Sequence, residues 1–137
     1  MLPRILVGSS ALIILALGVA HMLYTFRGPK LAPRDPTLTS HMDSVAPGIS
    51  AETTMWKAWI GFNASHSLGA ILFGMIYGYL AMVHPGLLFD GLYLSSVGFL
   101  MLTTLLVLAK RYWFHVPYRG IMIALVLFTA AQVIAKS

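Results

Sequence analysis

Apolar residues gather into four long runs along the chain, at residues 5–26, 56–83, 87–109 and 113–135. An α-helix needs about 20 predominantly apolar residues to cross a bilayer, and every run meets that length. Residues 27–55 break the pattern with Pro29, Pro33, Pro36 and Pro47, together with Gly28, Gly48 and several Ser and Thr. Proline removes a backbone donor and clashes with the preceding turn, so this stretch is expected to be an irregular loop outside the membrane. It is long for a helix–helix connection, which points to a function of its own or to a partner beneath it. The first run stops at Phe26-Arg27-Gly28-Pro29, a cation, a glycine and a proline in succession. Ser50, in Ser50-Ala51-Glu52-Thr53, is the expected N-cap of the second helix. His84-Pro85-Gly86 predicts a tight turn that makes the second and third helices an antiparallel hairpin. Lys110-Arg111 ends the third, and Pro117 falls early in the fourth, where proline is tolerated. The pattern therefore predicts an all-α fold, a single integral membrane domain over 1–137 arranged as a four-helix up-down bundle.

Composition narrows the class. Of 137 residues, 58% are hydrophobic and only 9% are charged, against about a quarter charged in a soluble domain. The four runs and their connections consume the chain and leave no separate soluble catalytic domain. The chain has no cysteine, which excludes disulfides, thiolate metal sites and cysteine nucleophiles. The net charge of +5 does not point to nucleic acid, because the cations flank apolar helices, where they set topology and meet anionic lipid. Arg4 and Lys136 lie on one side; Arg27, Lys30, Arg34, Lys57, Lys110, Arg111 and Arg119 lie on the other. The positive-inside rule puts the long first loop in the cytoplasm and both termini in the periplasm. Trp56, Trp59, Tyr112 and Trp113 fall on the same basic side as a one-sided interface belt. Gly18-Val19-Ala20 resembles a cleavage site after an N-terminal apolar run, but the run continues to Phe26 and is read as a retained helix.

The polar residues inside the second run carry what chemistry the sequence offers. Asn63, Ser65, His66 and Ser67 sit in membrane-length apolar sequence, where unpaired polar groups are costly, so they are expected to face other helices, a cavity or a cofactor. His66 lies roughly 10–15 Å deep at 1.5 Å per residue, on the side where His21 ends the first helix. His66, His21 and Asn63 are the candidate cofactor-binding residues, since imidazole ligates haem iron, copper and zinc and also contacts quinones and pigments. No His-x-x-His, Glu-x-x-His or His-x-x-x-His pair occurs within one helix, so no metal site is assigned. A histidine among Asn and Ser can equally be holding helices together. Ser67, Ala70, Gly74 and Gly78 recur at spacings of three or four and predict a close-packed face. The acidic residues Asp35, Asp43, Glu52 and Asp90 all fall outside the apolar cores of the runs; a proton or cation transporter would normally need an intramembrane carboxylate. No catalytic residue is assigned.

The segments Gly61-Phe62-Asn63-Ala64-Ser65-His66-Ser67-Leu68-Gly69 and Arg111-Tyr112-Trp113-Phe114 resemble those of a group of small uncharacterised bacterial four-helix membrane proteins. The resemblance implies the fold and a bacterial inner membrane, and no substrate. By elimination the expected function is a structural or accessory transmembrane subunit of a larger membrane complex, of the electron-transfer or photosynthetic kind, rather than an enzyme. Its expected partners are membrane lipids and other transmembrane subunits. The alternative is a small membrane redox protein or enzyme binding haem, a metal or a quinone at His66.

Overall fold

The computed structural model describes residues 1–136. Six helices follow one another: α1 (Leu2–Phe26), α2 (Pro36–Ser44), α3 (Met55–Val83), α4 (Pro85–Phe89), α5 (Tyr93–Tyr112) and α6 (His115–Lys136), and no strand occurs among the described residues. Four of these, α1, α3, α5 and α6, are long and apolar enough to cross a membrane. The protein is a multi-pass, all-helical membrane protein. Its contacts divide it into two compact units, one made of residues 1–17 with those from Ala70 onward, the other of Gly18–Gly69. The helices α1 and α3 each contribute to both.

In the first unit all four long helices meet, and the order around the bundle can be read from specific contacts. Helix α1 lies against α3, with Gly74 at Ala11 and Leu15 and with Arg4 donating to the carbonyls of Ala81 and Met82. Helix α3 lies against α5 through Tyr77, whose hydroxyl donates to the Leu94 carbonyl at 2.7 Å. Helix α5 meets α6 where Gly98 faces Phe128 and the Ser95 hydroxyl lies 2.9 Å from the Gln132 amide. Helix α6 returns to α1, where the Ser10 hydroxyl donates to the Ala124 carbonyl at 2.7 Å. In each pair, low numbers on one helix face high numbers on the next, so neighbours are antiparallel and the bundle is up-down. The buried apolar core, centred on Ile14, Tyr77, Leu88, Leu102 and Phe128, lies wholly within this unit.

The second unit has a different interior. Its buried residues are Gly18, Thr25 and Ser67, with no buried large apolar side chain. Gly28 adopts φ +80° just beyond α1, the left-handed conformation that lets a chain leave a helix and that glycine takes without steric cost.

Four local expectations are corrected here. The proline-rich segment is not irregular throughout, because it contains α2. Asp35 caps that helix, its carboxylate accepting from the Thr37 N–H at 2.9 Å, and Pro36 occupies the first turn, where its missing N–H removes nothing. Ser50 is not the N-cap of α3: its hydroxyl accepts from the Glu52 N–H at 3.1 Å, while Thr54 accepts from the Lys57 N–H at 3.3 Å at the true helix start. The α3–α5 connection is not a bare tight turn. Pro85 initiates α4 and drives Leu88 into full burial, so α5 begins at Tyr93. Finally, Ser65 is covered by no other helix of this chain: it is exposed, and its hydroxyl donates back to the Phe62 carbonyl at 3.0 Å, a satisfaction available within one helix.

Candidate functional site

The polar centre of the second unit is built from the C-terminal half of α1 and the N-terminal half of α3. His21 stands one turn before the end of α1, where the Thr25 hydroxyl donates back to the His21 carbonyl at 2.9 Å. Across from it, Asn63 is fixed at both ends of its amide. Its Nδ2 donates to the Trp59 carbonyl at 2.8 Å, and its Oδ1 lies 2.9 Å from His21 Nε2. Since the amide nitrogen is already committed to Trp59, the oxygen faces the imidazole, and His21 Nε2 must carry the proton. Ser67, one turn further along α3, donates to the Asn63 carbonyl at 2.8 Å and is fully buried. His66 completes the group, its ring edge-on to His21 at 5.3 Å between centroids and 79° between planes.

The three residues singled out in the sequence, His21, Asn63 and His66, therefore come together, and all three are partly buried. The arrangement offers two imidazoles and a carboxamide, the last held by its bond to the Trp59 carbonyl and itself holding the His21 ring. Two imidazoles supply half of a tetrahedral metal shell. No group of three His, Cys, Asp or Glu residues able to hold a metal ion occurs among the described residues.

The other sequence-marked residues separate by role. Gly74 is fully enclosed: a Cβ there would lie 2.6 Å from Leu15 Cβ and 2.8 Å from the Ala11 carbonyl oxygen. Gly78 is looser, with the added carbon 3.7 Å from Ala11 Cβ. Ala70 is half-buried. Of the belt residues, Trp59 donates its indole N–H to the Leu31 carbonyl at 3.0 Å, tying α3 to the loop. Trp113 packs against the apolar core, and Tyr112 is exposed. Trp56 lines a groove of about 460 Å³ together with Pro33, Pro36, Thr39, Ser40 and Asp43.

Two features were not read from the sequence. One is that groove, hidden because its lining comes from α2, whose existence was not expected. The other is the outward face of α3. Gly61, Ser65 and Gly69 follow at intervals of four; Gly61 and Ser65 are exposed, and a Cβ added at Gly61 or Gly69 would meet nothing within 4 Å. The spacing was visible in the sequence, but the Gly74-x-x-x-Gly78 pair drew the packing argument to the other end of the helix.

Comparison with protein-family models, with characterised proteins and with solved structures finds no match to this chain.

Proposed function

We propose that the protein is an accessory transmembrane subunit that docks onto a helix of another membrane protein. The observation that carries this reading is the outward face of α3. Small residues at Gly61, Ser65 and Gly69 leave a shallow channel of the kind into which a neighbouring membrane helix packs. Within the chain the same device is already used once, since Gly74 is filled by Leu15 and Ala11. Lipid would gain little from a channel of small residues, whereas a second helix gains close backbone approach. In this reading the basic loop faces the cytoplasm of a bacterial inner membrane and the termini the periplasm, the orientation supported by the seven-to-two division of Lys and Arg.

The absence of cysteine from the sequence makes the test clean. Single substitutions G61C, S65C and G69C, with F62C as an off-channel control, are expressed in native membranes and cross-linked. Adducts to one distinct membrane protein at 61, 65 and 69, and weaker ones at 62, are expected. Uniform or absent adducts, or adducts only between two copies of this chain, would refute the accessory role.

A second reading is favoured by the convergence of His21, Asn63 and His66: a small redox protein holding a quinone, haem or metal there. Two imidazoles fall short of a closed metal shell, which leaves a quinone headgroup or an open haem position as the occupants to test. Visible and ultraviolet spectra of protein purified from native membranes, with metal analysis and quinone extraction, decide it. A chromophore lost in His66→Ala would support this reading, and protein free of all three would end it.

A further inference from the structure

The groove on α2 has a composition that the packing of the chain does not explain. Its lining takes Pro33 from the loop, Pro36, Thr39, Ser40 and Asp43 from α2, and Trp56 from the start of α3. Asp43 is one of only four acidic residues in a chain of net charge +5. Neither its carboxylate nor the Trp56 indole N–H has a partner among the described residues. An unspent carboxylate beside an aromatic face is the chemistry that holds an organic ammonium ion.

We infer that this groove binds the ammonium headgroup of a zwitterionic phospholipid. The source follows from position. Trp56 is the second residue of the membrane-crossing α3, so the groove lies at one end of a span, at headgroup depth, where tryptophan is enriched. The flanking charges match the rest of the headgroup. Lys57 and Arg34 are exposed and stand next in sequence to the lining residues Trp56 and Pro33, outside the groove itself, so cations for the phosphate lie in the neighbourhood while the ammonium meets Asp43. A volume of about 460 Å³ accommodates a headgroup and leaves the acyl chains to the surrounding bilayer. An anionic lipid lacks the cation that this groove selects.

The test uses the full chain in detergent, titrated with phosphatidylethanolamine or phosphatidylglycerol of identical acyl chains and read by native mass spectrometry. The ethanolamine lipid should be retained about tenfold more strongly, the combined worth of one cation–π contact and one partly exposed ion pair. Asp43→Asn and Trp56→Leu should each cut that preference to about threefold while leaving far-UV circular dichroism unchanged. Should either variant fold poorly, competition on the wild-type protein replaces it: tetramethylammonium should displace the ethanolamine lipid, and sodium at equal ionic strength should not. Equal retention of the two lipids, an undiminished preference in Asp43→Asn, or tighter binding of free ethanolamine than of the lipid would overturn the inference.

Discussion

Gly74 and Gly78 form one sequence motif, yet the structure gives them different duties, and a pair of alanine substitutions separates them. At Gly74 an added methyl would fall 2.6 Å from Leu15 Cβ, 2.8 Å from the Ala11 carbonyl oxygen and 2.9 Å from Leu15 Cα. Two of these atoms belong to the α1 backbone, which cannot rotate away as the end of a side chain could. Ordinary contact begins at 3.4 Å, so α1 and α3 would have to separate by about 0.8 Å. At Gly78 the methyl would sit 3.7 Å from Ala11 Cβ, already a normal contact. Overpacking of this kind costs about 1–3 kcal/mol. Alanine also gains up to about 1 kcal/mol over glycine in helix propensity, but both positions lie inside α3, so that gain cancels between them. Gly74→Ala is thus expected to be less stable than Gly78→Ala by about 1–3 kcal/mol. Reversible unfolding in mixed micelles, with sodium dodecyl sulfate as denaturant and circular dichroism as readout, measures the difference. Equal stability of the two variants, or a less stable Gly78→Ala, would show that α1 does not lie against α3 as described.

Three further outcomes are expected. Ser10→Ala removes the buried donor to the Ala124 carbonyl and should cost about 0.6–1.7 kcal/mol in the same titration; no loss would mean α6 does not lean on α1 there. Asn63→Leu removes both the His21 and Trp59 bonds. It should raise amide hydrogen exchange through the end of α1 and the start of α3 while leaving the Ser95–Gln132 region protected; an unchanged pattern would deny Asn63 its bridging role. The cap of α2 should be pH-dependent. The Thr37 backbone N–H, and after it the Thr37 side chain, hold the Asp35 carboxyl below its ordinary value of 3.8. A depressed pKa means that the cap's contribution is complete above about 4 and is lost as pH falls through the folded value, below 3.8. The Thr37 amide resonance followed by NMR should shift in that acid range and stay still in Asp35→Asn, which caps at any pH; a shift near neutrality, or none in the wild type, would contradict the assignment.

The four membrane helices were legible because hydrophobic runs of that length have few other uses. Their ends were less so. Thr54 competes with Ser50 as a cap, and both are hydroxyl residues before an apolar run, so only the backbone path decides between them. Helix α2 was obscured because Pro36 was read as a breaker. Its place directly after Asp35 is instead a start signal, a cap residue followed by a proline at the first helical position. In the polar centre, the grouping of His21, Asn63 and His66 followed from depth along antiparallel helices, which sequence position supplies. The proton on His21 Nε2 did not, since it depends on where the Asn63 amide nitrogen points. Ser65 shows the converse limit: a polar residue at a membrane-depth position can satisfy itself on its own helix, so polarity alone does not mark an inward face.

Three of the links between the long helices, and one from α5 to α4, share a habit, while the Ser95–Gln132 pair joins side chain to side chain. Arg4 reaches the Ala81 and Met82 carbonyls, Ser10 the Ala124 carbonyl, Tyr77 the Leu94 carbonyl and Ser95 the Leu88 carbonyl. In each, one partner is a side chain and the other is main chain, which every amino acid supplies. The bond itself therefore makes no demand on the receiving side chain, while it fixes the donor. Among descendants of this chain such links would leave no correlated pairs of substitutions, only solitary fixed columns. Contact inference from co-variation would pass over the very bonds that set the register of the bundle.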